Sequence, residues 1–189
     1  EEVVFVFTGP DGSGRKTVAD MIGSTLGVAK VISYTTRKRR PIEEEGQDYY
    51  FISREQFLEA QERGEFVESL EIDGHLYGFK NSDINELLDA HGSVYLISNR
   101  YGADILKQLY GDKVIRIFLY ADRQTVIQRQ KDRGLSDEVI AKHLEHYDED
   151  MAYQSECEHA YENIDLGQIG TDVAKTLETY LQRDWVDKD

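Results

Sequence analysis

A glycine-rich segment near the amino terminus has the residue types and spacing of a phosphate-binding loop. Residues 9–14 read Gly-Pro-Asp-Gly-Ser-Gly and lie between an apolar run at residues 3–8 and apolar residues at helical spacing that end before Gly27. Such a loop directs backbone N–H groups and the positive end of the helix dipole toward one point, where a phosphate is stabilised. The candidate phosphate-binding residues are Gly9, Gly12, Ser13, Gly14, Arg15, Lys16 and Thr17.

The two positions after the last glycine depart from the usual P-loop pattern. That pattern places Lys and then Ser or Thr there, so that the lysine reaches the β- and γ-phosphates and the hydroxyl binds Mg²⁺. In this chain the two positions are Arg15 and Lys16, and Thr17 comes one residue late. Either the loop is locally re-registered or the magnesium-binding hydroxyl is lost. The loop by itself favours phosphate binding over phosphoryl transfer.

A second group of candidate residues is a basic segment in a strongly acidic chain. The sequence has 22 Lys and Arg against 37 Asp and Glu, which gives a formal net charge of −15. Five cations are nevertheless the only charged residues between Met21 and Ile42: Lys30, Arg37, Lys38, Arg39 and Arg40. This segment indicates an anion-binding site, with ordinary solvated surface charge as the alternative.

The remaining polar clusters are weaker candidates. Residues 143–174 contain nine carboxylates, three histidines and no Lys or Arg, which indicates an acidic face. His143, His146 and His159 do not have the spacing of a compact ligand set, so no metal site is predicted there. Cys157 is the only cysteine. It cannot form an intramolecular disulfide, which fits a reducing compartment and predicts a cytoplasmic location.

Composition and charge narrow the classes of partner. A chain of 189 residues is predicted to form one domain, or one domain with a smaller insertion. Its negative charge opposes non-specific binding to nucleic acid or to an anionic membrane surface. The opening apolar run is far shorter than the roughly 20 residues of a membrane-spanning helix. We therefore expect no nucleic-acid partner and no membrane partner.

The elements that must position these residues alternate between strand and helix. Residues 3–8, 93–97 and 114–119 are short apolar runs typical of strands buried on both faces of a parallel sheet. Helical patterns follow the last two runs at residues 101–110 and 123–131. This alternation predicts an α/β fold with a parallel sheet.

Residues 33–80 have a different pattern and are predicted to form a small mixed α/β insertion. Strand-like segments occur at residues 31–36, 49–52, 66–72 and 75–77. Asp73-Gly74, between the last two, is a hairpin turn signal. Residues 128–152 are polar and helical in pattern. The sequence also predicts a C-terminal amphipathic helix with one apolar face formed by Val173, Leu177, Tyr180 and Leu181.

Taken in order, the motifs resemble those of the guanylate kinase family. They are Gly9-Pro10-x-Gly12-x-Gly14, Ser33-Tyr34-Thr35-Thr36-Arg37-x-x-Arg40-Pro41, Gly46-x-Asp48-Tyr49-Tyr50-Phe51, Gly64-Glu65-Phe66-Val67-Glu68, Tyr77-Gly78, Arg129-x-x-x-Arg133-Gly134 and Glu138-Val139-Ile140-Ala141-Lys142. Their order and spacing are specific, and the match covers nearly the whole chain. The resemblance implies a P-loop core at residues 1–32 and 81–189, a GMP-binding subdomain at 33–80 and a helical lid at about 128–152.

The GMP site that the resemblance implies is nearly complete. Its residues are Ser33, Arg37, Arg40, Tyr49, Glu68 and Tyr77. The two arginines match the pair that holds the GMP phosphate, a use that suits guanidinium groups. The tyrosines match hydroxyls on the same phosphate, Ser33 matches a position that faces the guanine, and Glu68 matches the carboxylate that accepts from the guanine N1–H and amino groups. For Ser33 and the tyrosines, simple packing is the alternative. Phe79 stands where a small hydroxyl is usual, which narrows the pocket or changes its ligand.

The donor side departs further from the family. The resemblance implies an Asp-x-Asp pair at the end of a strand, where this chain has Ile97 and Asn99. Arg129 and Arg133 match lid arginines that neutralise the transferring phosphate, and His143 replaces a third basic residue. The candidate catalytic residues are therefore Arg15, which restores part of the lost positive charge, Arg129 and Arg133.

These observations lead to two hypotheses of different classes. In the first, the chain is an enzyme that transfers a phosphoryl group from ATP, with Mg²⁺, to GMP by positioning and charge neutralisation. In the second, it is a non-catalytic module that senses a guanine nucleotide or docks a phosphorylated partner on Arg37 and Arg40. Loss of one positioned electrostatic group commonly costs about 10²–10³ in rate. Several such losses predict that GMP recognition remains and that phosphotransfer is weak or lost. The oligomeric state is left open.

Overall fold

The computed structural model describes residues 1–181 and confirms the α/β fold. Its strands are β1 (Val3–Thr8), β2 (Ala29–Lys30), β3 (Tyr34–Thr35), β4 (Tyr50–Phe51), β5 (Phe66–Ile72), β6 (His75–Lys80), β7 (Ser93–Ile97), β8 (Val114–Tyr120) and β9 (His159–Glu162). Its α-helices are α1 (Arg15–Leu26), α2 (Arg54–Glu62), α3 (Asn81–His91), α4 (Arg100–Tyr110), α5 (Arg123–Asp132), α6 (Asp137–Leu144), α7 (Tyr147–Ala152) and α8 (Leu166–Leu181). Residues 182–189, the end of the predicted core, lie outside the described part.

The central sheet has five strands in the order β2-β7-β1-β8-β9, and all of its pairings are parallel. Every residue of β1 is buried, as its continuous apolar sequence predicts for a central parallel strand. Phe5 and Phe7 belong to a cluster with residues of α1 and α8, whereas Val4 and Val6 belong to a cluster with residues of α3 and α4. Because helices cover both faces, the sheet holds the loop after β1 on a rigid base.

A second sheet, with strand order β4-β3-β6-β5, is formed within residues 34–80. The β5–β6 hairpin turns at Asp73 and Gly74, whose φ values of 53° and 80° confirm the predicted turn. Helix α2, which the sequence analysis did not predict, packs here through Phe57, whose ring stacks on Phe66 at a centroid distance of 4.3 Å. Ser53 and Gln56 form a capping box at its start, a signal that was present in the sequence.

Helices α5, α6 and α7 form the polar helical region that the sequence predicts near residues 128–152. Ile140 and Leu144 of α6 pack with Val126 of α5 and Tyr147 of α7 in a small apolar cluster. Lys142 of α6 contacts Asp73 at the hairpin tip, with the two charged atoms 2.5 Å apart. This region therefore touches the second sheet. Over residues 1–181, no helix combines the length and the apolar character needed to cross a membrane.

Candidate functional site

A cleft of about 520 Å³ lies where the glycine loop, α1 and the second sheet meet. Ten predicted site residues line it: Gly12, Gly14, Arg15, Lys16, Thr17, Ser33, Arg37, Arg40, Tyr49 and Arg133. Arg129 lines a neighbouring cavity of about 220 Å³, together with Gly12, Gly14, Thr17 and Arg133. The structure does not bring the other four predicted residues into the lining of either cavity: Gly9, Ser13, Glu68 and Tyr77.

The glycine loop requires glycine for two reasons, its left-handed backbone conformation and the lack of space for a Cβ atom. Gly12 and Gly14 have φ values of 79° and 78°, in the left-handed region that L-residues with side chains rarely adopt. A Cβ on Gly9 would lie 2.0 Å from the carbonyl oxygen of Leu119 in β8, and one on Gly14 would lie 2.5 Å from Nδ2 of Asn163. The loop is thus pressed against the carboxyl ends of β8 and β9. Helix α1 begins directly after it, with its unpaired first-turn N–H groups at the cleft.

Arg15 and Lys16 are both held by carboxylates. The Arg15 guanidinium donates to Asp11 at 3.0 Å and to the backbone oxygen of Ser98 at 3.3 Å. The Lys16 ammonium lies 2.8 Å from Asp20 and 3.2 Å from Asp48. Burial opposes the charged form of Lys16, but the hydrogen bonds and charges of the two aspartates raise its pKa overall.

The residues present do not fit the magnesium site of the P-loop pattern. Helix α1 runs from Arg15 with its first bond from Val18 N–H to the Gly14 carbonyl, so Lys16 takes the second position and Thr17 the third. The hydroxyl position therefore holds an ammonium group. Asn99 is used as the cap of α4, where its side chain accepts from Gly102 N–H at 3.0 Å, and Ile97 adds only hydrocarbon to the cleft wall.

The arginine side of the cleft is organised by a residue that the sequence analysis missed, Glu43. Arg37 donates to both oxygens of Glu43, at 2.9 and 2.8 Å, and its guanidinium lies 5.4 Å from the centre of the Tyr49 ring. Arg37 also lowers the pKa of Glu43 to about 2. The Arg40 N–H donates to the same carboxylate at 2.8 Å, which leaves its exposed side chain in the cleft. Glu43 thus orients the Arg37 guanidinium and fixes the backbone at Arg40.

Glu68 and Phe79 face each other across the β5–β6 ladder. Phe79 is 4% exposed and forms part of the cleft wall, whereas Glu68, 7% exposed, does not. Within residues 1–181, Oε2 of Glu68 has no hydrogen-bond partner. Burial raises the pKa of Glu68 to about 7. Tyr77 is half-buried and does not line the cleft, and its ring lies edge-on to Tyr49 at a centroid distance of 5.9 Å.

Asn163 is a second residue that the sequence analysis missed. It follows β9 at the carboxyl edge of the parallel sheet, where ligand-binding residues of α/β folds collect, and this position is the signal that was available. Its side-chain amide donates to the backbone carbonyl of Ser13 at 2.9 Å, and its backbone carbonyl accepts from the Arg129 guanidinium at 2.6 Å. Asn163 therefore joins the glycine loop to a candidate catalytic arginine. Arg133 reaches further and lines both cavities.

Comparison with known proteins agrees with this arrangement. The guanylate kinase family model matches residues 2–180. A guanylate kinase from Lactococcus lactis subsp. lactis is 34% identical over 178 residues, covering 93% of this chain and 87% of the relative. One from Fusobacterium nucleatum is 29% identical over 176 residues, covering 93% and 95%. The crystal structure of guanylate kinase from Anaplasma phagocytophilum has the same fold, with a TM-score of 0.76 at 23% identity over 96% of this chain and 87% of that chain.

The residues that the family model matches include the glycine loop, the arginine segment and the helical region. The sequence resemblance is thereby confirmed. This chain is a member of the guanylate kinase family of nucleotide-binding proteins.

Proposed function

We propose that this chain binds GMP in the 520 Å³ cleft and that its transfer of phosphate from ATP to GMP is weak or lost. The observation that carries the proposal is the buried Oε2 of Glu68, which has no hydrogen-bond partner among residues 1–181 and belongs to the residue paired with Phe79 of the cleft wall, in a cleft that also holds Arg37 and Arg40. A buried acceptor without a donor is costly, so a ligand that supplies donors is favoured there. Guanine has two such donors, at N1 and at the exocyclic amine.

The phosphate of GMP would lie between the arginines. Arg37 is fixed by Glu43, and a guanidinium that is already oriented loses less side-chain entropy when it binds a phosphate. Arg40 is exposed and reaches the same cleft. The hydroxyl of Ser33 donates to the Gly78 carbonyl at 3.2 Å, which holds it on the same wall. In this proposal residues 33–80 act as the GMP-binding subdomain.

The glycine loop would hold the phosphates of ATP, since its amide groups and the start of α1 face the cleft. Weak transfer follows from the same region. Arg15 is tied to Asp11 and the Ser98 carbonyl, so it does not extend over the loop as the P-loop lysine does. Arg129 and Arg133 remain as the cationic groups of a lid formed by about residues 128–152. Positioning and charge neutralisation supply nearly all catalysis of this reaction, so incomplete charge predicts slow turnover.

One observation favours a second candidate function, the docking of a phosphorylated protein partner. Phe79 forms part of the cleft wall, whereas Glu68, its partner across the β5–β6 ladder, does not line the cleft, so a ligand that has a phosphate but no guanine reaches Arg37 and Arg40 without displacing the ring. A phosphorylated side chain is such a ligand. The presence of Glu68 favours GMP over this candidate.

The first experiment is a calorimetric titration with GMP, with AMP as the comparison ligand. We expect GMP to bind and AMP to bind more weakly, because adenine presents an acceptor where guanine presents a donor. Glu68→Gln is expected to weaken GMP binding by about tenfold, since one acceptor becomes a donor. Glu71→Gln is the matched control, an exposed glutamate on the same strand. Absence of GMP binding at millimolar concentrations contradicts the proposal.

Turnover is measured separately by the conversion of GMP to GDP in the presence of ATP and Mg²⁺. We expect a rate well below the about 1–100 s⁻¹ of typical kinases. A rate within that range overturns the proposal of weak transfer but leaves GMP binding intact. If a phosphoserine peptide binds and GMP does not, the docking function replaces the nucleotide function.

A further inference from the structure

The cleft carries an unusual concentration of fixed positive charge. Six cationic side chains line it, against two carboxylates, in a protein with a net charge of −15. The six cations are Arg15, Lys16, Lys30, Arg37, Arg40 and Arg133. Charge of one sign in a cleft concentrates ligands of the opposite sign. The cleft therefore attracts phosphate against the average field of the molecule.

The two carboxylates in the lining are already engaged by protein groups. Glu43 accepts from both nitrogens of Arg37. Asp48 accepts from Glu44 N–H at 2.8 Å and lies 3.2 Å from the Lys16 ammonium. The hydrogen bond and the neighbouring charge lower the pKa of Asp48. Both carboxylates of the lining are therefore already paired with protein cations.

Lys16 stands where the P-loop pattern has its magnesium-binding hydroxyl. Its ammonium group has three N–H donors, and Asp20 and Asp48 account for two of them. Its side chain is 60% exposed, and it lines the cleft beside Gly14 and Thr17. The third donor is thus available to a phosphate oxygen. The ammonium group thus takes the place where the pattern puts a hydroxyl ligand for a divalent cation.

We propose that this chain binds the polyphosphate of a nucleotide without a divalent cation, with Lys16 supplying positive charge where a metal-binding hydroxyl is usual. Free ATP carries more negative charge than its magnesium complex, so it gains more from a cleft of fixed cations. The inference rests on the proposed binding of ATP at the glycine loop. It adds that the loop selects free ATP over the magnesium complex of ATP.

The test is a measurement of ATP affinity in EDTA and in Mg²⁺ at matched ionic strength, because salt alone screens these contacts. The native chain is expected to bind ATP at least as tightly in EDTA. Lys16→Thr, which restores a hydroxyl, is expected to lose about tenfold or more in EDTA and to regain affinity with Mg²⁺. Lys16→Arg keeps the charge and is expected to retain binding in EDTA.

Lys113→Thr is the matched control, since Lys113 is also an exposed lysine in an ion pair but does not line the cleft. It is expected to leave both affinities unchanged. The proposal fails if Mg²⁺ raises the native affinity by about tenfold or if Lys16→Thr behaves like this control. If ATP binds under neither condition while GMP binds, both this proposal and ATP binding at the loop fail, and the GMP site stands. Thermal unfolding of each variant checks that it is folded.

Discussion

Glu68 combines two properties that rarely occur together at one carboxylate, burial and the absence of a partner for one oxygen. Burial raises its pKa to about 7, within the range where the protein works. The ionised form accepts from guanine and the protonated form does not offer the same acceptors. Its side chain therefore links ligand binding to pH.

GMP affinity is expected to fall as the pH drops below about 7, by about tenfold per pH unit, because protonated Glu68 must first lose its proton. The phosphate of GMP titrates near pH 6 as well. Glu68→Gln separates the two, since it keeps the titration of the phosphate and removes that of the side chain. Calorimetry from pH 5 to pH 8 measures both proteins. Parallel pH profiles for native and variant would show that Glu68 does not read the base.

The ring of Phe79 is expected to limit access to Glu68. Its ring is packed with Val31, Ile84 and Leu96 and forms the cleft wall beside Glu68. Phe79→Ser is expected to raise GMP affinity by opening the way to Glu68. It also removes core contacts, at a cost of about 3–5 kcal/mol in the free energy of unfolding, as for other buried Phe deletions.

The control for Phe79→Ser is Ile84→Ala, which lies in the same apolar cluster but does not line the cleft. This variant is expected to lose stability, by about 2–5 kcal/mol, with no gain in GMP affinity. Urea unfolding and calorimetry measure the two quantities. If Phe79→Ser binds GMP no better than the native chain, the ring does not limit access to the carboxylate.

At the scale of elements, the sequence predicts the central strands and the helices after them, because strands buried on both faces are continuous apolar runs. The sequence does not predict helix α2 or strand β9, and each omission has a physical reason. Only Phe57 and Ala60 of α2 are buried, so its apolar pattern is thin. Strand β9 has four residues at the edge of the sheet and lies in the acidic segment, where tertiary pairing with β8 decides its structure.

Some residues of the candidate site can also be predicted from the sequence, and others cannot. The glycine loop is predictable from its local spacing and the basic segment from its run of cations, whereas the specific roles of Arg37 and Arg40 come from the family resemblance. The roles of Glu43 and Asn163 are not predictable, since they depend on contacts that form only on folding, with Arg37 in one case and the Ser13 carbonyl in the other. The ion pair of Lys16 with Asp48 likewise depends on the tertiary fold, whereas that with Asp20 has the i,i+4 spacing of a helix.

The junction between β1 and α1 gives the element-scale prediction. Gly14→Ala is expected to destabilise the chain by more than the about 1–2 kcal/mol of a left-handed backbone, because its Cβ also meets Asn163. ATP binding is expected to fall with it. Gly27→Ala, at the other end of α1, has a φ of 66° and open space around the added Cβ. Gly27→Ala is expected to lower the free energy of unfolding by the backbone contribution alone and to keep ATP binding. If Gly14→Ala and Gly27→Ala weaken ATP binding equally, the contact with Asn163 does not matter for ATP binding.

For the molecule as a whole, the burial of Glu68 and the net negative charge both lower stability as the pH rises. Glu68 keeps its proton in the folded chain up to about pH 7 but loses it near its usual pKa of 4.5 when unfolded. The folded state therefore binds more protons in this interval, and stability from this group is lost as the pH rises through 7. A net charge of −15 adds self-repulsion at high pH.

The free energy of unfolding, measured in urea, is therefore expected to fall between pH 5 and pH 8. The share due to Glu68 is on the order of 3 kcal/mol. Glu68→Gln is expected to lose that share of the pH dependence and to keep the part due to general charge. An equal slope in both proteins would show that the carboxyl group is ionised at neutral pH despite its burial.

Two ion pairs join the region of the second sheet to the rest of the molecule, Lys16 to Asp48 on one side and Lys142 to Asp73 on the other. Lys16 and Asp48 line the cleft, whereas Lys142 and Asp73 meet at the tip of the β5–β6 hairpin, outside the cleft lining. Any movement of the second sheet away from α1 and α6 has to separate these charges, and dissolved salt weakens both pairs. The position of the second sheet over the rest of the molecule is then expected to respond to ionic strength as well as to temperature, and one of the two contacts that set it stands in the first turn of α1.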